Sequence, residues 1–188
     1  MILYLHGFTS GPQSKKAQAL EQRARQRGGY FLCPQLPYAP AQAAGLIESL
    51  IVTAREPVTL VGSSLGGYYA TFFAQRHGLP AVLVNPAVVA HLQLAAYVGR
   101  HTNLYSGEAF DFTPQHIDQL RQLEVPRLAR PQDFWLLLET GDATLDYRQA
   151  VAKYAGARQT VLAGGDHSFT RWAEYLDDIL AWAAMPAG

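Results

Sequence analysis

The chain has one cysteine in 188 residues, so no intrachain disulfide can form. Cys33 precedes Pro34 and stands away from any glycine-rich turn, which makes it a small buried hydrophobe rather than a nucleophile. Charge of one sign is also missing, since Lys plus Arg and Asp plus Glu number 15 each. A balanced chain offers no electrostatic pull toward nucleic acid or an anionic membrane, and points to a small molecule or another protein as partner. No apolar run approaches the roughly 18 residues of a membrane span. The first residues, MILYLHGF, lack a basic n-region and pass at once into strand-like sequence. No signal peptide is expected, and a cytoplasmic location is. Repeats, low-complexity tracts and long linkers are absent. Neither H-E-x-x-H nor a His-x-His cluster occurs, so no metal and no other cofactor is expected.

The composition that remains is that of a globular protein, 49% hydrophobic and 11% aromatic. A chain of this length can bury roughly 70% of its unfolded surface without a staple, and one domain over residues 1–188 is expected. Six short apolar runs recur: ILYLH (2–6), YFLCP (30–34), VTLVG (58–62), AVLVN (81–85), FWLLLE (134–139) and QTVLAG (159–164). They are apolar without alternation, as strands covered on both faces are. Helical patterning fills the spaces at 13–27, 41–54, 64–77, 145–155 and 170–183, with stop signals at Gly28-Gly29, Glu56-Pro57 and Gly78. Strand–helix alternation predicts an α/β fold, an open and mostly parallel sheet of about six strands with helices on both faces. From about 91 to 130 the alternation stops. That stretch shows no convincing strand, only a helix from Thr113, the predicted N-cap, and Pro114. An insertion of this length is expected to be functional, as a cap or lid.

The chemistry is concentrated at VTLVGSSLGGYYA. Only Ser64 fits G-x-S-x-G, because Ser63 is flanked at the same spacing by Val61 and Leu65. A nucleophile on a sharp strand-to-helix turn has strained dihedrals, and small residues two positions away, here Gly62 and Gly66, avoid the resulting clash. Serine needs a base oriented by a third group. Of six histidines, His77 reads as a helix C-terminal cap, His91, His101 and His116 lie in or beside the insertion, and His6 reads as structural. His167, after the last strand, fits the chain order nucleophile, acid, histidine. The acid should follow FWLLLETGD. Asp142 is the first choice there, Asp146 the second, and Asp166 is too close to His167 to reach its ring. An oxyanion hole would take the backbone N–H of Leu65 and one from the loop after the first strand, at Phe8, where Gly7 permits close approach. If the second strand lies outside the first, the crevice falls between the first and third strands, which end in these two loops. Tyr38, Tyr69, Tyr105, Phe110 and Phe112 are candidates for the pocket or the core.

The segments YLHGFTSGPQSKKAQAL, VGSSLGGYYAT, LVNPA, LLLETGDATLDYRQAV and GGDHSF together resemble the α/β-hydrolase superfamily, and more narrowly its small bacterial esterases of the YqiA/YcfP type. They run from residue 4 to 169. The resemblance implies Ser64, Asp142 and His167 as a catalytic triad acting on carboxylic esters or acyl thioesters, and a sheet without the first two strands of larger relatives. It departs from the family at Asp166, where GGNH is usual, which adds a charge beside His167. Other chemistry on the same scaffold remains open, as a peptidase, a lactonase or a C–C hydrolase, and so does a non-catalytic binding protein.

Overall fold

The computed structural model describes residues 1–184. Its main sheet has six strands in the order β2-β1-β3-β4-β7-β8, with every neighbouring pair parallel. They are β1 (Ile2–Leu5), β2 (Phe31–Leu32), β3 (Thr59–Ser63), β4 (Ala81–Val84), β7 (Phe134–Glu139) and β8 (Arg158–Leu162). The helices between them are α1 (Lys15–Gln26), α2 (Pro40–Thr53), α3 (Leu65–His77) and α6 (Tyr147–Lys153), and α7 (Leu176–Ala183) follows the last strand. Alternate residues of β1, β3, β4 and β7 enter different cores. Leu3, Leu5, Leu60, Leu83 and Leu136 join one with α2 and α3, while Ile2, Tyr4, Val61, Val82 and Trp135 join the other with α1 and α7. Both faces are covered, which is why the strands read as continuous apolar runs. Among the described residues no helix is long and apolar enough to cross a membrane.

The helix ends follow their local chemistry. The Ser14 hydroxyl accepts the Ala17 N–H at 3.4 Å and opens α1. Gly78, at φ 65°, closes α3. His77 therefore does not cap α3, as its position suggested. Its Nε2 lies 3.0 Å from Glu48 Oε2 on α2 instead. The second strand is shorter than predicted, two residues at the sheet's edge, because Pro34 brings no N–H to extend it. The helix predicted from residue 170 begins later, with a 3-10 turn at Trp172–Tyr175. The Thr170 and Arg171 N–H groups are engaged by the Glu139 carboxylate, which holds the chain there in a loop. Cys33 is half-buried against the second core, and burial pushes its thiol up to about 12.

The stretch from 91 to 130 does contain strands, contrary to expectation. A short helix α4 (Ala90–Gln93) leads into the antiparallel hairpin of β5 (Gly99–Thr102) and β6 (Ala109–Phe112), followed by α5 (Pro114–Gln122). β6 alternates in burial, with Phe110 and Phe112 inward and Ala109 and Asp111 outward. Four residues of alternation between turn-rich segments were too few to distinguish a strand from a loop. Thr113 stands at the N-cap of α5 and Pro114 is its first residue, as predicted, and the Thr113 N–H donates to His116 Nδ1 at 3.2 Å.

Candidate active site

The carboxyl ends of β1 and β3, the second and third strands across the sheet, meet where strand order reverses. Ser64 follows β3 with φ 56° and ψ −121°, outside the regions open to ordinary L-residues. The surroundings hold it there. Its N–H donates to Val84 O at 3.1 Å, and its carbonyl accepts Gly67 N–H at 2.9 Å and Ala87 N–H at 3.0 Å. A methyl group at Gly62 would collide with the Gly66 backbone, and one at Gly66 with the Leu5 carbonyl. The two glycines are thus required by close approach of backbone to backbone. A β-carbon on Gly7 would stand 3.2 Å from Ser64 Cβ, so the β1 loop lies directly against the serine.

His167, in the loop after β8, presents Nε2 at 3.0 Å from Ser64 Oγ and Nδ1 at 2.7 Å from Asp142 Oδ2. Asp142 follows β7 and is almost wholly buried. Burial works against its charge. His167 and the N–H groups of Leu145 and Thr144 outweigh that and hold its carboxyl below the usual range. Asp146 does not reach the histidine. It caps α6, accepting Arg148 N–H at 3.0 Å and Arg148 Nε–H at 2.9 Å. The Asp166 carboxylate turns back to accept the Ser168 N–H at 2.7 Å. His6 is tied into the β1 loop, its Nδ1 3.0 Å from Gly7 O and its Nε2 accepting Leu36 N–H at 3.0 Å. That pattern fits the neutral ring, and burial lowers its pKa. The Leu65 and Phe8 N–H groups have no protein acceptor among the described residues, which leaves both free for a ligand oxygen.

Two residues with no signal of their own in the sequence frame the histidine. Glu139 ends β7 fully buried, and its carboxylate accepts the N–H groups of Asp166 (2.9 Å), Thr170 (2.9 Å) and Arg171 (3.2 Å) and the Thr170 hydroxyl (2.8 Å). Burial opposes its charge, but these donors outweigh burial and its pKa lies below the ordinary value. Asn85, after β4, donates from Nδ2 to Asp166 O (3.0 Å) and His167 O (3.3 Å) and accepts Glu139 N–H (3.0 Å). The loop carrying His167 is therefore held on both sides. A buried Glu at a strand end and an Asn after a strand look like sheet residues until the loop that they hold is seen.

Ser64 and His167 open into a cavity of about 810 Å³, whose other walls include Lys16, Tyr105, Phe169 and Trp172. Lys16 Nζ donates to Ser168 O at 2.8 Å, and burial brings its pKa down to about 8. Of the aromatic candidates, Tyr105 lines this cavity and Tyr69 is buried in the core. Phe110 and Phe112 pack on Phe8, and Tyr38 stacks on Phe110 at 3.8 Å. Among the described residues no group of three or more His, Cys, Asp or Glu side chains could hold a metal ion.

Solved structures with the same fold include a putative hydrolase from Agrobacterium vitis S4, 19% identical, with a TM-score of 0.74 over 97% of this chain and 87% of that one. Alpha/beta hydrolase domain-containing protein 10 from mouse is 17% identical, with a TM-score of 0.71 over 96% and 89%. The esterase domain of a Rhodothermus marinus protein is 19% identical, with a TM-score of 0.69 over 97% and 85%. These likenesses establish the α/β-hydrolase fold. The model of an uncharacterised protein family, UPF0227, matches residues 1–184, and the chain belongs to that family.

Proposed function

We propose that the protein is a serine hydrolase that cleaves carboxylic esters or acyl thioesters through an acyl-enzyme on Ser64. The observation that carries this reading is the continuous contact from Ser64 Oγ to His167 Nε2 and from His167 Nδ1 to Asp142 Oδ2. Ser64 Oγ attacks the acyl carbonyl while His167 Nε2 takes its proton. Asp142 fixes the ring's tautomer and stabilises the imidazolium. The Leu65 and Phe8 N–H groups receive the oxyanion, in a role where loss of one donor costs about 100- to 1,000-fold in rate. The tetrahedral species collapses with loss of the alcohol or thiol, which takes the proton from His167. Water, deprotonated by the same histidine, then releases the acid and restores Ser64. The whole chain acts as one domain, with residues 91–130 as a cap-like insertion beside the cavity.

The test is a panel of p-nitrophenyl and CoA esters of graded chain length, run on wild type, Ser64→Ala, Asp142→Asn and Asp146→Asn. Turnover should fall by about 10,000-fold or more in Ser64→Ala and by about 100- to 10,000-fold in Asp142→Asn, with Asp146→Asn within a few-fold of wild type. Turnover no higher in wild type than in Ser64→Ala contradicts the reading. Equal, mild losses at both aspartates contradict the choice of acid.

A further inference from the structure

The β1 loop that carries Phe8 is a strained turn. Ser10 N–H donates to Gly7 O at 3.2 Å, and the third residue of the turn, Thr9, has φ 58°. Position three of a turn with positive φ normally takes glycine or asparagine, and a β-branched residue there is an outlier. Such a conformation persists only where neighbouring structure over-determines it. The β5–β6 hairpin supplies that structure. Leu104 N–H donates to Thr9 O at 2.8 Å, and Asn103 Nδ2 donates to Ser10 O at 2.8 Å. Ser10 O also receives Gln35 Nε2, at a weaker 3.4 Å. Asn103 is buried, and its Oδ1 accepts the N–H groups of Tyr105 and Ser106, both at 2.9 Å, which shapes the hairpin's own tip. The Phe8 ring is enclosed by His101, Phe110 and Phe112, with centroids 5.0 to 5.6 Å away. All three belong to the hairpin.

We infer that Asn103 is a positioning residue of the active site: from the hairpin tip it fixes the Phe8–Ser10 turn, and so the direction of the Phe8 N–H that receives the oxyanion. The inference rests on the serine-hydrolase reading. The hairpin is then a fixed wall that completes the site, not a lid that opens. Asn103 touches no reacting atom; it works through the turn. A misplacement of the donor by about 1 Å is enough to cost on the order of 100-fold in rate.

Asn103→Asp keeps the acceptor for Tyr105 and Ser106 but removes the donor to Ser10 O and turns a carboxylate oxygen toward that carbonyl, so the tie to the turn is replaced by a repulsion. With a p-nitrophenyl ester, kcat should fall about 10- to 100-fold with KM within about twofold. Inhibition by a trifluoromethyl ketone, whose adduct mimics the oxyanion, should weaken by the same factor. Arg100→Ala, on the exposed Arg100–Asp111 pair of the same hairpin, should leave both quantities unchanged. If Asn103→Asp does not fold, amide exchange of the wild type gives the answer. The Leu104, Tyr105 and Ser106 N–H groups should gain protection when the ketone binds. Unchanged kcat and ketone affinity in Asn103→Asp, equal losses in Arg100→Ala, or no gain in protection would each overturn the inference. In those cases activity that depends on Ser64 still leaves the serine-hydrolase reading standing, whereas a wild type without esterase activity removes that reading itself.

Discussion

At the scale of single residues, the site is built from groups whose ionisation or geometry is costly away from their partners. Ser64 and His167 were legible from chain order and from the glycines around Ser64, whereas Asp142 was a first choice with Asp146 left open; Ser64, His167 and Asp142 stand in hydrogen-bond contact. Glu139, Asn85 and Asn103 were not legible, because each acts on a loop distant in sequence. Glu139 gives a pH-dependent test. Its carboxyl has a lower pKa in the folded protein than in the unfolded chain, so the unfolded chain binds its proton first as pH falls. The stability that its charge contributes is full above about pH 4.5, the ordinary glutamate range, and is lost as pH drops through the folded value. Denaturant unfolding should show wild type more stable than Glu139→Gln at pH 7, with the gap narrowing below about pH 4.5. A gap that stays constant with pH would show that the charge contributes nothing.

At the scale of elements, strand and helix existence followed from apolar run length and stop signals, with ends displaced by a few residues. The departures have local causes: the edge position and Pro34 shorten β2, and the bonds from Glu139 delay the last helix. The β5–β6 hairpin was hidden because its strands are four residues long and only half-covered. The β3–α3 turn is the element most tightly specified. Gly66 has no room for a methyl against the Leu5 carbonyl, and the His6 carbonyl would lie 2.7 Å away. Gly66→Ala should therefore force β1 and α3 apart and cost about 1–3 kcal/mol or more, an overpacking cost that exceeds any gain in helix propensity. Urea unfolding measures it, and a variant as stable as wild type would mean that the two backbones are not in this contact.

At the scale of the whole molecule, the parallel order β2-β1-β3-β4-β7-β8 gathers the loops after β1, β3, β7 and β8 at one end of the sheet. The expected position of the second strand outside the first is the observed one, and the crevice between β1 and β3 follows from it. What topology alone did not reveal is how the hairpin packs on the β1 loop beside that crevice, since its contacts with Phe8, Thr9 and Ser10 join residues about 90 positions apart. Fold and family membership leave the chemistry to the site, where Ser64 is the proposed nucleophile. The most direct measurement is reaction with a fluorophosphonate followed by peptide mapping by mass spectrometry. One adduct is expected, on Ser64, formed much more slowly in His167→Ala. An adduct on Ser63, or labelling that is indifferent to His167, would contradict this assignment.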